Sequence, residues 1–393
     1  MVRTIMSRPG SPRALRDLNR GRVLEALREY GDLSQAELAR KTGLAPATVS
    51  NIVRHLRAAG DVVTTDGAGR RKSIRLAPGP GFVVGVDYGH RHISVAVADL
   101  DHEVLTERRV DLAPDMSARD GMAEAARLAQ HVLATAGVDR TEVVAAAMGL
   151  PAPIDRTTGR VGSPSILPGW VGVDAGDLAS DALGLPVRVA VDNDANLGAL
   201  AEWWWGAGAG YSDVVYLKLS DGVGAGLIIG GHLYGGVTGT AGEIGHTTLD
   251  EYGDLCRCGN RGCLETVVSA RRVTSILEPI VGEHLTILEI VQRAEAGSRA
   301  CERLLTDVGL QVGRSLADLC SLLNPQMVLI GGELAQASTL LIPAMERVIG
   351  RCGVPAAAGA VHIRRGALGA RTHVLGAVAL ARRESASAAL FNS

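Results

Sequence analysis

Aromatic residues are scarce in this 393-residue sequence: they make up 3% of it, and phenylalanine occurs only twice. Any hydrophobic core must therefore be built mainly from alanine and the aliphatic residues. No stretch approaches the roughly 18 apolar residues that a membrane-spanning helix needs, and the opening MVRTIMSRPGSPR lacks the apolar core of a signal peptide. From these two observations we expect a cytoplasmic protein. We also expect two or three domains, because the chain is too long for a single core.

Cysteine is limited to six residues, a pattern that does not suit a secreted protein held together by disulfides. Three of the six stand alone after residue 300, as free thiols do. The other three, Cys256, Cys258 and Cys263, lie within eight residues of one another and need a separate explanation.

Charge of the two signs is unevenly divided along the chain. The net charge is only −2, yet residues 1–80 contain 15 Lys+Arg and 7 Asp+Glu, whereas residues 81–393 contain 25 and 35. This asymmetry predicts a basic module that meets a polyanion, joined to an acidic module with a different role.

The basic segment has the pattern of a helix-turn-helix. Apolar residues at helical spacing predict a first helix that ends near Tyr30, with Leu18 and Val23 on its buried face. Ser34 and Glu37 have the spacing of a capping box, which predicts the start of a second helix. Gly43 then provides the turn into a third helix over about residues 45–60.

Two predicted strands follow, around a glycine-rich turn with cations at its tip, as in the wing of a winged helix-turn-helix. Such a domain places its third helix in the major groove of double-stranded operator DNA while the wing meets phosphate, and it usually binds as a dimer. The alternative is a helical protein-interaction domain with a solvated charged face. The candidate DNA-contacting residues are Thr48, Ser50, Asn51, Arg54, Arg70, Arg71 and Lys72.

From Phe82 onward the sequence alternates apolar strands with turns that carry glycine or aspartate, and helical segments lie between them. This alternation is typical of an α/β domain. The turns fall in VDYGH, VDNDAN, LSDGVGAG and LIGGEL.

The cysteine cluster has the spacing of a metal site. Cys256, Cys258 and Cys263 surround a Gly-Asn-Arg-Gly turn, and a tetrahedral ion needs a fourth ligand, for which His246 is the nearest nitrogen donor. We expect one structural Zn²⁺ per chain on these four residues, with no open position for water activation. The alternative is three unrelated buried cysteines.

Two glutamates, Glu243 and Glu265, lie within three residues of metal ligands, so the metal loop would hold both carboxylates in place. A fixed pair of carboxylates suits the vicinal hydroxyls of a sugar, because each oxygen can accept a hydrogen bond. The alternative is a pair of solvated surface acids.

The order of these motifs resembles the ROK family of repressors, open reading frames and sugar kinases. The residues that carry the resemblance are the Asp-Gly turn, NDAN, the glycine-rich hairpin, GEIGH, CRCGNRGCLE and IGGEL. The N-terminal winged domain is similar to that of the NagC/Mlc-type transcriptional regulators in this family.

The resemblance covers about residues 12–384 and implies an actin-like, ribonuclease-H-like fold of two lobes with a ligand cleft between them. The winged segment spans 12–76, and the Pro- and Gly-rich run at 77–81 indicates a linker. The resemblance then places a ROK domain at 82–384, and we expect flexible ends at 1–11 and 385–393. The first lobe would comprise about 82–194 with 371–384, and the second about 195–370.

Ligand contacts are also implied by the resemblance. Leu167–Trp170 match a further sugar-side loop, although Ile166 stands where the family's kinases commonly have asparagine. Asp194 matches the kinases' base, and His246 would share its two ring nitrogens between zinc and a sugar hydroxyl. The residues that match sugar-contacting positions are Asn193, Asp194, Glu243, His246 and Glu265.

The nucleotide turns depart from the kinase pattern. The family's kinases resemble one another in an Asp-x-Gly-Gly-Thr turn and a Gly-Thr-Gly turn, whereas this chain has DYGHRH and SDGVGAG. Asp221 would therefore place a carboxylate beside the phosphates, which repels them.

We predict a sugar-responsive repressor with no catalytic residues, in the form of a homodimer or a dimer of dimers. The alternatives are an ATP-dependent sugar kinase with an appended DNA-binding domain, and a DNA-bound scaffold with a vestigial cleft.

Two other features are expected to be structural. Trp203, Trp204 and Trp205 resemble a stacking platform for a sugar, but three consecutive helical residues point in three directions, which favours packing. His90 and His92, beside Asp87, are expected to form a polar strand face and no second metal site.

Overall fold

The computed structural model describes residues 12–31, 33–66, 72–76, 81–101, 103–112, 116–155, 158–161 and 167–391. The chain divides into two compact units, of which the first comprises residues 1–80 with 385–393 and the second comprises residues 81–384. Among the described residues no helix is long and apolar enough to cross a membrane.

The first unit contains three helices followed by an antiparallel pair of strands. These are α1 (Pro12–Tyr30), α2 (Gln35–Thr42), α3 (Pro46–Ala58), β1 (Val62–Asp66) and β2 (Lys72–Leu76). The predicted capping box at Ser34 and Glu37 is present at the start of α2, and Gly43 ends that helix in the left-handed region at φ 67°. The core of the unit includes Val23 and Val49, both fully buried.

One prediction for the first helix was wrong. Leu18, expected on the buried face, is 61% exposed. Among the described side chains of α1, those that enter the core begin at Val23, so Leu18 lies before the point at which the helix reaches that core.

The second unit contains two five-stranded sheets with helices around them. The first sheet and its helices are β3 (Phe82–Tyr88), β4 (His92–Asp99), β5 (Val104–Asp111), α4 (Ala118–Ala136), β6 (Val143–Leu150), α5 (Ala175–Leu183) and β7 (Val189–Asn193), with α6 (Asp194–Trp204) after it. The second sheet and its helices are β8 (Val214–Leu219), β9 (Val223–Ile229), β10 (His232–Leu233), α7 (Leu264–Val268), α8 (Ala270–Val281), α9 (Ile287–Glu295), α10 (Arg299–Leu323), β11 (Met327–Gly331), α11 (Ser338–Cys352), α12 (Pro355–Ala360) and β12 (His362–Arg365). Helix α13 (Thr372–Phe391) ends the described chain.

Both sheets have the same strand order. The first is ordered β5-β4-β3-β6-β7 and the second β10-β9-β8-β11-β12. In each, the first three strands in sequence are antiparallel neighbours and the last two join in parallel. The carboxyl ends of the parallel strands therefore meet at one edge of each sheet, where α/β proteins bind their ligands.

Helices α6 and α13 lie in a core shared by the two sheets. Leu197 of α6 and Val378 of α13 belong to one buried cluster with residues of both sheets. A Cβ on Gly376 of α13 would lie 2.0 Å from the carbonyl oxygen of Leu197, and one on Gly85 of β3 would lie 2.7 Å from the amide nitrogen of Val378. Glycine is thus required at these two positions, because any side chain there would overlap the neighbouring helix.

Candidate metal centre and ligand pocket

The four predicted metal ligands lie together in the structure. One ligand atom from each of His246, Cys256, Cys258 and Cys263 falls within 4.8 Å of the other three, an arrangement that could hold a metal ion. The Cys258 and Cys263 sulfur atoms are 3.7 Å apart and all three cysteines are free thiols, so no disulfide joins them.

Local backbone geometry brings these ligands together. His246 ends a short 3-10 helix, Ile244–His246, and Cys263 is the residue before α7. Gly262 allows the loop to close, because its φ is 59° and a Cβ there would lie 1.7 Å from the Asp250 carbonyl oxygen. Burial and the neighbouring thiols raise the pKa of Cys263 to about 12. A bound cation would oppose this effect by stabilising the thiolates.

All five predicted sugar-contacting residues line one small pocket beside the metal centre. The lining also includes His90, Pro151, Ala152, Pro153, Lys218, Gly222, Val223, Gly224 and Arg257. The free volume is about 30 Å³, which is room for a few water molecules.

The NDAN segment is built by capping interactions at the start of α6. The Asn193 side chain accepts a hydrogen bond from the Ala195 amide at 2.8 Å and donates one to the Ala152 carbonyl at 3.1 Å. Asp194 is the first residue of the helix, where the helix dipole favours a negative charge. The residue as a whole is 5% exposed, and its carboxylate is paired with the ammonium group of Lys218.

The two glutamates of the pocket have different environments. Glu265 receives a bidentate pair of hydrogen bonds from Arg257, with Nε to Oε1 at 2.6 Å and Nη2 to Oε2 at 2.8 Å, and a third from the Val223 amide at 2.9 Å. Among the described residues no lysine or arginine pairs with Glu243, and burial together with the charges of Asp194 and Glu265 raises its pKa to about 7.

His246 faces both the metal centre and the pocket. Its Nδ1 lies 3.6 Å from the sulfur of Cys256, and its Nε2 lies 3.8 Å from a carboxylate oxygen of Glu243. The ring is therefore oriented so that one nitrogen can bind a metal while the other faces the ligand pocket.

Sequence reasoning missed Lys218 and Arg257, which pair with the pocket carboxylates. A signal for Lys218 was available: it is one of only three lysines in the chain and stands within the apolar strand VVYLKL. A charged side chain inside such a strand needs a partner of opposite charge. Arg257 lies between two metal ligands, where no sequence pattern separates it from a solvated loop cation.

A larger cleft of about 710 Å³ adjoins the pocket, and Lys218 and His90 line both cavities. It lies where the β3, β8 and β11 strands end, and its walls include Asp87, Arg91 and Asp221. Burial alone would raise the pKa of Asp87, but the hydrogen bond from His92 at 2.8 Å and nearby positive groups hold it below its usual value.

The carboxylate of Asp221 is not isolated in this cleft. It lies 3.6 Å from the guanidinium of Arg91, in the turn after β3, and 4.0 Å from that of Arg271 on α8. Arg91 therefore forms an ion pair that joins the turn after β3 of the first sheet to the turn after β8 of the second.

Two other predicted features lie outside the pocket. Trp170, at the end of the Leu167–Trp170 segment, is 1% exposed. Its ring packs edge-on against Tyr88, with the ring centres 5.0 Å apart. No described residue of this segment lines the pocket. Ile166 lies outside the described residues. Trp203 and Trp205 pack against the core shared by the two sheets, as the packing interpretation expects.

The predicted DNA-contacting residues of the third helix lie on one side of it. Ser50, Asn51 and Arg54 are exposed and Thr48 is half-buried, while Val49 of the same helix is completely buried. Lys72 is exposed at the start of β2. Arg70 and Arg71, predicted for the tip of the wing, lie outside the described residues.

Comparison with known families gives two matches. The sequence profile described as the ROK family matches residues 83–384, and a winged helix-turn-helix DNA-binding profile matches residues 16–60.

Individual proteins agree with these matches. The xylose repressor of Caldicellulosiruptor bescii is 28% identical over 390 residues, which cover 94% of this chain and 97% of the repressor. The crystal structure of a ROK family transcriptional regulator, described as a homologue of the Escherichia coli Mlc protein, aligns with a TM-score of 0.76 and 25% identity over 96% of this chain and 98% of that one. A ROK family glucokinase from Streptomyces griseus, solved with glucose and AMPPNP, aligns with a TM-score of 0.66 and 27% identity over 77% and 100%.

Proposed function

The chain belongs to the ROK family, and from that premise we propose that it is a transcriptional repressor whose pocket binds a sugar and which then releases operator DNA. The observation that carries the proposal is the presence, in one chain, of a winged helix-turn-helix and a pocket lined by three carboxylates. A sugar kinase needs only the second of these, and a simple DNA-binding protein only the first.

Recognition of the operator is assigned to the exposed side of α3 and to the wing. Ser50, Asn51 and Arg54 offer donors and acceptors suited to base edges, and Lys72 with Arg70 and Arg71 offers charge for phosphates. Two copies of the domain would bind the two half-sites of an operator, so the regulator acts as a homodimer or a dimer of dimers.

Coupling between sugar and DNA is assigned to movement of the two lobes. The pocket walls come from both of them, with His90 and Asn193 on one side and Lys218 and Glu243 on the other. A ligand that fills the pocket would contact both of these walls. A ligand that contacts both lobes stabilises one arrangement at the expense of another, and that difference in affinity is what can alter DNA binding.

We propose that the metal is zinc and that its role is structural. Three thiolates and one imidazole are the ligand set of a closed tetrahedral zinc site, which leaves no position for a reacting water. The bound ion would fix the loop that carries Glu243 and Glu265, and so keep the pocket carboxylates in place.

An ATP-dependent sugar kinase is the second candidate, and the likeness to the glucokinase structure favours it. Asp194 stands at the position that matches the kinase base. Its pairing with Lys218 and the presence of Asp221 in the neighbouring cleft argue against phosphoryl transfer, so we assign no catalytic residue.

The proposal is tested by selecting the DNA fragments that the protein binds and then titrating sugars against the bound complex. Xylose and glucose are the first probes, because they are named for the relatives above, and a wider monosaccharide panel follows. We expect one sugar to weaken DNA binding by at least about tenfold, a coupling typical of allosteric regulators. DNA affinity that no sugar changes would contradict the proposal.

A matched pair of variants connects the response to the pocket. Asp194→Asn should weaken sugar binding by about 1.5 to 3 kcal/mol, the usual cost of losing a hydrogen bond to a charged group, while DNA affinity without sugar stays the same. Asp181→Asn, an exposed position on α5, is the control. Equal sugar affinities for the two variants would place the sugar elsewhere.

A further inference from the structure

A groove of about 490 Å³ lies between helices α10 and α11, and it shares no lining residue with the sugar pocket or the adjoining cleft. Close contacts fix its two walls relative to each other. A Cβ on Gly309 would lie 2.8 Å from the Leu341 carbonyl oxygen, and one on Gly313 would lie 3.0 Å from the Met345 Cα. The groove therefore has a rigid support. Its lining residues are Asp307, Leu310, Gln311 and Arg314 of α10 and Arg347, Val348 and Arg351 of α11.

Three arginines meet in this groove, Arg314 from one helix and Arg347 with Arg351 from the other. All three are exposed, and within the described part of the chain none of them has a carboxylate oxygen within 4.0 Å. By contrast, Arg188 and Arg371 of the same unit lie 2.9 and 2.7 Å from carboxylate oxygens. Arg347 and Arg351 are also one helical turn apart, a spacing at which like charges repel.

Nearby acids do not balance this charge. Asp307 is the carboxylate among the described lining residues, and it lies 3.2 Å from the Nε atom of Arg303, with which it forms an ion pair. The acids nearest in sequence to the three arginines, Asp318 and Glu346, do not line the groove. Residues 81–393 are acidic overall, with 25 Lys+Arg and 35 Asp+Glu, so this concentration of unpaired cations differs from the rest of the module.

The size and chemistry of the groove suit a small anion with several charges. Its volume falls within the range of about 300 to 1,000 Å³ that is typical of small-molecule sites. A guanidinium group presents a planar fork of donors that matches the oxygens of a phosphate, and such bidentate pairs are among the strong hydrogen bonds. Leu310 and Val348 add an apolar surface, and the Gln311 side chain adds an uncharged donor and acceptor.

We propose that the groove between α10 and α11 is a second ligand site, which binds a small phosphorylated compound through Arg314, Arg347 and Arg351. The phosphate oxygens accept hydrogen bonds from guanidinium groups on both helices. The charge of the anion also relieves the repulsion among the three arginines. This site is separate from the sugar pocket and does not depend on the proposed function.

The test is a calorimetric titration of the full-length protein with pyrophosphate and with inorganic phosphate at constant ionic strength. Pyrophosphate carries several charges and has neither a sugar nor a base, so it offers the sugar pocket no hydroxyl to bind. We expect saturable binding at a single site per chain, tighter for pyrophosphate than for inorganic phosphate because more oxygens meet the arginines. Absence of saturable binding by either probe would refute the inference.

Variants then locate the bound pyrophosphate. Arg347→Gln and Arg351→Gln should each weaken its binding by about tenfold, and the double change by about a hundredfold, because each removes a charge-assisted contact. Arg347→Lys keeps the charge but not the fork of donors, so its loss should be smaller than that of Arg347→Gln. Arg299→Gln, exposed at the start of α10 and outside the groove, is the control. Equal affinities in all these proteins would place the probe elsewhere and contradict the inference.

Two measurements without pyrophosphate complete the test. The Arg347→Gln/Arg351→Gln protein should melt no lower than wild type, because the change removes two like charges one turn apart. A lower melting temperature would mean that these arginines stabilise the fold through partners within the protein. The affinity of this variant for DNA should equal that of wild type, and weaker binding would assign the groove to the DNA interface. Either result would overturn the proposed ligand site.

Discussion

Glu202 is a fully buried carboxylate that joins two distant parts of the second unit. It lies near the end of α6 and accepts hydrogen bonds from the amides of Ala207, Ala367 and Leu368 at 2.9 to 3.0 Å. Two of these donors belong to the segment between β12 and α13, so this single side chain connects the helix between the sheets to the entry of the last helix. A carboxylate is suited to the role because it can accept several hydrogen bonds at once.

Glu202→Gln should therefore destabilise the second unit. The amide keeps the size of the side chain but replaces one acceptor oxygen with a donor, which leaves buried amides unsatisfied. We expect the free energy of unfolding to fall by about 2 to 4 kcal/mol. All four tryptophans lie in this unit, so denaturant titration followed by tryptophan fluorescence reports its unfolding. Glu295→Gln, exposed at the end of α9, is the control, and equal stabilities would contradict the assignment.

Residues such as Glu202 mark the limit of what the sequence could predict at this scale. Glu243 and Glu265 were found because they lie near metal ligands in the chain, and His246 because it is the nitrogen donor nearest the cysteine cluster. Asn193 and Asp194 were found through the family resemblance that the NDAN motif carries. Partners from distant segments leave no local pattern: Glu202 is separated by more than 160 residues from two of its donors. Long-range hydrogen bonds of this kind depend on the tertiary fold, which local periodicity does not specify.

The metal loop, residues 246–263, is the element on which the geometry of the pocket depends. Its backbone is closed by hydrogen bonds from the Cys256 amide to the Asn260 carbonyl at 2.7 Å and from the Gly262 amide to the Asp254 carbonyl at 2.8 Å. The loop also carries Arg257, the partner of Glu265. A metal ion bound to the cluster would hold several pocket residues in place together, since they share this one support.

Purified protein should contain about one zinc per chain, and Cys258→Ser should lose most of it, because removing one of four ligands weakens a tetrahedral site. Cys258 is exposed, so this change leaves the hydrophobic core intact. We expect a lower melting temperature and weaker sugar binding than in Cys352→Ser, which removes another exposed thiol far from the cluster in sequence. Elemental analysis and thermal melting are the measurements, and a folded wild-type protein without zinc would refute the assignment.

The wing is the element whose contribution to DNA binding can be separated by salt. Each phosphate contact that is lost should reduce the slope of log affinity against log salt by about 0.9. Lys72→Ala and the double change Arg70→Ala/Arg71→Ala should both reduce the slope and weaken binding to all sequences alike. Lys41→Ala is the control, because Lys41 lies 3.4 Å from the centre of the Tyr30 ring and is committed to that contact. Unchanged slopes in the wing variants would remove the wing from the interface.

At the scale of the whole molecule, the second unit consists of two sheets with one strand order. The sequence predicted the α/β class because each strand ends in a turn with glycine or aspartate, and those turns now lie at the strand ends that form the two cavities. The central position of α6 and α13 could not be read from periodicity, since both helices are surrounded on several sides and show no single apolar face. Their packing rests on close contacts at Gly85 and Gly376, which depend on partners from remote parts of the chain.

The arrangement of the two cavities also leads to a prediction about catalysis. Phosphoryl transfer needs a nucleotide in the cleft, with its phosphates neutralised, and a base free to take a proton from the sugar. Here the cleft wall holds Asp221, paired with Arg91, and Asp194, at the position that matches the kinases' base, is paired with Lys218. The ion pair with Lys218 occupies the carboxylate that would have to meet the sugar hydroxyl. Both requirements are thus opposed at once, by different residues.

We therefore expect no phosphorylation of the sugar that the protein binds. The measurement is a coupled ATP assay with that sugar, run beside Asp194→Ala to account for any contaminating kinase, and the wild-type rate should equal that of the variant. Asp221→Thr alone should not create activity, because Lys218 still holds Asp194. Turnover in wild-type protein that disappears in Asp194→Ala would make the protein a kinase as well as a regulator. It would also mean that Arg91 leaves its ion pair with Asp221 and neutralises the nucleotide's phosphates. Of the two arginines beside Asp221, Arg91 is the nearer.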